Sequence, residues 1–136
     1  MNVMLDKKAI RPERAHKSDA GIDLFTPEDF TVPAHGFAFI ETGVHMEIPY
    51  LCRGHVCSKS GLNRFHGITA DGTIDEGYTG EIGVTLHNSS DEPYEFKRGD
   101  KIAQVVIEPI IRPNMILVTS LDDSDRGDSG FGSTGR

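Results

Sequence analysis

Four short segments and a glycine-rich tail gather the side chains that could do chemistry. Ser18-Asp19-Ala20-Gly21-Ile22-Asp23-Leu24 places a carboxylate between two apolar residues, so on a strand Asp23 points away from both. It is either a solvent-facing strand carboxylate or one that stands near a metal or positions a neighbour. Cys57-Ser58-Lys59-Ser60-Gly61-Leu62 puts an ammonium, a hydroxyl and a glycine at an expected helix start, which suits an anion. A capped turn would read the same, and the phosphate-loop signature G-x-x-x-x-G-K-[ST] is absent. In Ala70-Asp71-Gly72-Thr73-Ile74-Asp75-Glu76-Gly77-Tyr78-Thr79-Gly80-Glu81, Gly72 and Gly77 bracket a short strand and predict a tight hairpin. Its backbone could approach a flat ligand closely, with Asp75 and Tyr78 near each other at the hairpin's end. In Lys97-Arg98-Gly99-Asp100-Lys101-Ile102-Ala103-Gln104, Gln104 lies within an apolar strand and needs hydrogen-bond partners, from a loop or a ligand.

The elements that must position these groups read as β. Val44 to Ile48 alternates apolar and polar residues, as does the stretch holding Ile82, Val84 and Leu86. Ile102 to Ile111 is a β-branched run, and Met115 to Val118 predicts a further strand after a turn at Pro113-Asn114. One short helix is expected after Lys59. Many short strands punctuated by Gly and Pro indicate an all-β sandwich, barrel or jelly roll. The chain has 136 residues, which suits one domain, with no internal repeat.

Composition narrows the partners. With 14 basic and 21 acidic residues the formal net charge is −7, which argues against non-specific binding to nucleic acid or anionic membranes but not against a small anionic ligand. No apolar run approaches the ~20 residues of a membrane span, and the N-terminus lacks the apolar segment of a signal peptide, so a cytoplasmic location is expected. Cys52 and Cys57 match no common zinc spacing and are expected to be reduced structural thiols; His55 and Cys57 could share a strand face without making a site. Asp122 to Arg136, rich in Gly, Ser and Asp, is either a solvated tail or an arm that orders over a ligand. In an arm, Arg126 would supply charge, Phe131 a stacking face, and Gly132-Ser133-Thr134-Gly135 a phosphate-cradling turn.

In order, the segments resemble the five motifs of the trimeric dUTPase family: Ala20-Gly21-Ile22-Asp23-Leu24, Lys59-Ser60-Gly61-Leu62, Gly72 to Gly80, Arg98 to Gln104, and Arg126 to Gly135. The resemblance implies an all-β, jelly-roll-like β-barrel over residues 1–121 and an arm, 122–136, that closes over an active site of a homotrimer. It implies hydrolysis of dUTP to dUMP and pyrophosphate with Mg2+, which limits uracil in DNA and supplies dUMP for thymidylate. By that resemblance Asp75 orients the attacking water, and Asp23 stands near the metal, acting through water. Lys59, Ser60, Gly61 and Gln104 match phosphate contacts. Gly72 and Ile74 lie in the segment whose backbone reads uracil, and Tyr78 matches the ring that packs on deoxyribose. Arg126, Gly132, Ser133 and Thr134 match the arm's contacts, and Phe131 the ring stacked on uracil. Lys59 stands where the family often has arginine, keeping the charge without the bidentate fork. The competing expectations are a dCTP deaminase of the same fold and a nucleotide-sensing regulatory protein on the same scaffold. A regulatory protein partner stays an open expectation.

Overall fold

The computed structural model describes residues 1–128. Its strands are β1 Val3–Leu5, β2 Gly21–Phe25, β3 Phe30–Val32, β4 Phe37–Glu41, β5 Val44–Met46, β6 Cys52–Cys57, β7 Ile68–Thr69, β8 Asp71–Ile74, β9 Gly83–Asn88, β10 Tyr94–Phe96 and β11 Lys101–Pro109. The one helix among the described residues, α1 Ser60–His66, lies between β6 and β7, where a helix after Lys59 is expected. All strand pairs are antiparallel. A four-stranded sheet runs β2-β11-β6-β8, a three-stranded one β4-β9-β7, and β1-β5 and β3-β10 form two-stranded ribbons. These antiparallel sheets with one short helix agree with the all-β reading of the sequence and with the jelly-roll-like β fold that the resemblance implied.

One continuous apolar cluster joins these pieces, with Leu24, Val44, Leu86, Phe96, Ile102 and Val105 among its buried members. Alternation explains which side chains reach it: in β9, Val84 and Leu86 are buried while His87 is exposed. β2 departs from alternation because all five of its residues are buried. The expectation of a solvent-facing Asp23 therefore gives way to a carboxylate 4% exposed, covered in part by the bridge between Glu13 and Asp23.

Two expected elements differ. The hairpin predicted between Gly72 and Gly77 is not a two-stranded hairpin: β8 pairs with β6, and after a turn over Asp75 to Tyr78 the chain crosses into β9 of the other sheet. Glycine marks the turn correctly, since Gly77 has φ +83°, but the strands on either side take other partners. Met115 to Val118 forms no strand. Among the described residues its backbone finds no neighbouring strand, and Met115, Ile116 and Leu117 are 97%, 81% and 100% exposed. β-branched character selects an extended backbone, but only a partner edge makes a strand of it.

Candidate functional site

The sequence-selected residues fall into two groups, at opposite ends of the β6-β8 pair. The first surrounds the turn after β8. A cavity of about 340 Å³ is lined by Val56, Gly72 to Asp75, Tyr78, Glu81, Ile82 and Gly83, so Gly72, Ile74, Asp75 and Tyr78 do converge. Within the turn the Tyr78 N–H donates to the Asp75 carbonyl at 3.1 Å. The Tyr78 hydroxyl donates to the Glu81 carbonyl at 2.9 Å, which lays the ring along the rim; Gly80 leaves room for it, since a Cβ there would collide with the ring. β8 is the last strand of its sheet, so its outer edge keeps backbone N–H and C=O groups unclaimed by a strand neighbour.

Neighbouring side chains hold this turn in place. The Glu76 carboxylate accepts from the Leu51 N–H at 2.8 Å and pairs with Arg112. The Glu81 carboxylate accepts from the Gly43 N–H at 2.5 Å. His45 Nδ1 lies 2.9 Å from the Thr79 carbonyl, which can only accept, so this nitrogen carries the proton. That bond, with Asp6 3.5 Å from Nε2, raises the His45 pKa above 6.5. None of Glu76, His45 and Glu81 was singled out from sequence. Each reaches its partner across a separation that no local pattern encodes.

The second group is built on charge. Lys59 Nζ is 2.5 Å from Asp23 Oδ1 and Lys101 Nζ is 2.7 Å from Oδ2. Burial pushes the Asp23 carboxyl up, but the hydrogen bonds and charges of Lys101 and Lys59 outweigh it and hold the pKa below 3.8. Asp23 in turn raises Lys101. Gln104 pairs with Asp23 on β2 and with Cys57 on β6, and its Nε2 donates to the Ser58 carbonyl at 3.2 Å. Its carboxamide oxygen occupies the space a Cβ on Gly21 would fill, so Gly21 is a steric requirement of that placement. Ser58 is fixed by its hydroxyl, which donates to the Ala70 carbonyl and accepts from its N–H, both at 2.9 Å. Ser60 and Gly61 open α1 beside these groups, with nothing within 4 Å of where a Gly61 Cβ would stand. Lys101 was quoted within its motif but given no role, because only the fold brings it to Asp23.

The two groups do not meet within one chain. Gly54 pairs with Ile74 and Cys57 with Asp71, so Asp75 lies beyond one end of the pair and Lys59 beyond the other. At ~3.3 Å per residue they are roughly 15–20 Å apart, well outside the reach of one water molecule. Arg126 is exposed in a turn where the Gly127 N–H donates to the Ser124 carbonyl at 3.0 Å. Phe131, Gly132, Ser133 and Thr134 lie outside the described residues.

Neither size nor donor clustering alone marks this site. A larger cavity, about 690 Å³, is lined by Met1, Arg11, Arg14 and Met46 among others and holds none of the phosphate-binding or water-orienting candidates. Among the described residues no three His, Cys, Asp or Glu side chains converge as metal ligands. Each Asp23 oxygen accepts from an ammonium group, and those two positive charges oppose a bare Mg2+ beside it, while the lone pair each oxygen keeps can accept from a metal-bound water. The His55 ring nitrogens face Asp71 at 2.9 Å and Glu108 at 3.2 Å, and Cys52 and Cys57 are not joined in a disulfide.

Comparison with known proteins agrees with the motif order. A family profile described as dUTPase matches residues 7–135. The deoxyuridine 5'-triphosphate nucleotidohydrolase of Clostridium acetobutylicum is 45% identical over 96% of this chain and 92% of its own length. That of Rattus norvegicus is 41% identical over 98% of this chain and 66% of its own. Among solved structures, the dUTPase of Staphylococcus bacteriophage 80alpha with dUPNHPP superposes with a TM-score of 0.91 at 32% identity, covering 99% of this chain and 98% of that one. A mutant dUTPase from phage phi11 of S. aureus, described as revealing the coordination of a structural Mg(II) ion, has a TM-score of 0.79 at 31% identity over 88% of this chain and 96% of its own.

Proposed function

From the premise that this chain belongs to the dUTPase family, we propose that it hydrolyses dUTP to dUMP and pyrophosphate by attack of water on the α-phosphorus. The observation that carries the reading is the cavity at the free edge of β8, where Asp75 and Tyr78 flank unpaired backbone groups. Uracil presents two carbonyl acceptors around one N–H donor, a pattern that backbone N–H and C=O groups near Gly72 and Ile74 match. Cytosine reverses donor and acceptor at two positions, and a mismatch of that kind rejects by roughly 10⁴ to 10⁵. A C5 methyl meets the cavity wall, and Tyr78 fills the space a 2′-hydroxyl would need.

The chemistry needs one positioned water. A carboxylate is a weak base, so Asp75 works chiefly by orienting that water. The water oxygen forms a bond to the α-phosphorus, its proton leaves toward the Asp75 carboxylate, and the bridging P–O bond breaks with its electron pair leaving on pyrophosphate. Lys59, Ser60, Gly61 and Gln104 bind the phosphates at their end of the site. Arg126, Ser133, Thr134 and Gly132 add phosphate contacts from the arm, and Phe131 stacks on uracil. Mg2+, where bound, neutralises phosphate charge, and Asp23 meets it only through water.

Because the two groups lie at opposite ends of β6-β8, the reading includes a homotrimer whose sites combine Asp75 of one copy with Lys59 and Gln104 of another. The exposed apolar side chains of Met115, Ile116 and Leu117, in a segment without a strand partner, support that assembly. The barrel is assigned to residues 1–121 and the arm to 122–136. Among the described residues no helix is long and apolar enough to cross a membrane, and the cytoplasm is the compartment proposed. Product analysis with dUTP, dCTP, dTTP and UTP, with and without Mg2+, tests the reaction. Release of dUMP and pyrophosphate from dUTP alone is expected, and deaminated product from dCTP would overturn it.

A further inference from the structure

We infer that Lys101 is a positioning residue for the phosphate end of this site, acting through Asp23 on Lys59. The inference rests on the proposed hydrolysis of dUTP and adds a residue to it. Lys59 and Lys101 come from distant segments, the start of α1 and the start of β11, yet each takes one oxygen of the same buried carboxylate. An ammonium is a single-point donor on a flexible stem, so one carboxylate can serve both without crowding. The shared anion lets two cations stand side by side that would otherwise repel, and two positive charges against one negative leave a net positive centre for a phosphate.

The two lysines differ in what surrounds them rather than in exposure, their side chains being 26% exposed for Lys59 and 36% for Lys101. Lys59 adjoins Ser60 and Gly61, and space is open above Gly61. Lys101 lies against the Phe25 ring, its Nζ 5.7 Å from the centroid. Its aliphatic stem is thereby held on β2's own strand partner, at the point where the β2-β11 register shifts between Lys101 and Ala103. Lys101 is the fixed post, Asp23 the link and Lys59 the group that meets phosphate. Without Lys101, one Asp23 oxygen loses its partner, the carboxylate turns toward Lys59, and the ammonium is drawn away from the phosphate.

Titration of the full chain with deoxyuridine, dUMP and the non-hydrolysable imido analogue of dUTP tests this. Lys101→Met should weaken the imido analogue about tenfold, the weight of one charge-assisted hydrogen bond, and leave deoxyuridine unchanged. In a Lys59→Met background the same substitution should cost nothing more, because its route to the phosphate is gone. A role in folding alone would weaken all three ligands together and overturn the inference. A loss that persists in the Lys59→Met background would also overturn it, since Lys101 would then act on the ligand directly or through long-range charge. If Lys101→Met does not fold, Lys101→Gln replaces it: the amide can satisfy the Asp23 oxygen but brings no charge. A smaller loss, confined to the imido analogue and absent in the Lys59→Met background, is then expected, and the absence of that loss overturns the inference. Wild-type protein that binds and hydrolyses dUTP alongside an unaltered Lys101→Met sinks this inference only; wild-type protein inert to dUTP sinks the proposed function with it.

Discussion

The turn after β8 and the cluster around Asp23 solve different problems with different materials. The turn offers backbone at a free sheet edge, braced from outside by the Leu51 and Gly43 N–H groups and by the Arg112 and His45 side chains. Its Tyr78 is 47% exposed, and its shape depends on a glycine with positive φ. The Asp23 cluster instead buries a carboxylate and surrounds it with cations. A base is recognised by the directions of donors and acceptors, which backbone supplies rigidly. A phosphate chain is recognised by charge, which side chains supply. On the proposed function, selectivity and charge neutralisation fall to opposite ends of one strand pair, and substitutions at the two ends should fail differently.

The largest expected effect lies at the turn. Asp75→Asn should lower kcat by roughly 10² to 10⁴ while the imido analogue of dUTP still binds, as single-turnover kinetics and calorimetry would report. A near-normal kcat would break the assignment of water orientation to this end. At the other end, Asp23→Asn leaves two ammonium groups around a buried amide. Equilibrium urea unfolding should show a loss of about 3 kcal/mol, and no loss would mean that the pair of lysines does not depend on the anion. Gly21→Ala sharpens the comparison further. Its methyl must displace the Gln104 carboxamide, costing about 1–3 kcal/mol and weakening phosphate-bearing ligands more than deoxyuridine.

The smallest effect is one of pH. His45 braces the turn with a pKa raised above 6.5 by the Thr79 carbonyl and Asp6, and His55 is raised by Asp71 and Glu108. A raised folded pKa means that the protonated form binds more tightly to the folded state. Its stabilisation is full below 6.5 and is lost as pH rises through the folded value. Asp23 has the opposite sign: its stabilisation is present above 3.8 and disappears as pH falls through its lowered value. Thermal melting from neutral to mildly alkaline pH should therefore fall slightly in wild type and less in His45→Gln. An equal fall in both would remove His45 as the titrating brace.

Much of this was legible before any fold was known, because the relevant signals are local. Alternation around Val84 and Leu86, glycines at turns, and residue types that bind phosphate or orient water recur at fixed spacings. Their order carried the family resemblance, and so the chemistry. What local pattern could not contain is pairing between distant segments. Extended character at Met115 to Val118 was readable, but whether a strand forms depends on a neighbouring edge that the described residues do not provide. Gly72 and Gly77 announced a turn, yet the strands beside it joined different sheets, because long-range pairing rather than the turn chose their partners. Asp23 looked much like any strand carboxylate until the fold buried it between Lys59 and Lys101. The sequence by itself determined the residue types, their order and the β character, since backbone preference and side-chain chemistry act over a few residues. Tertiary structure alone decided which charges share a partner and that Asp75 and Lys59 stand apart, since sheet register sets distances that chain order does not.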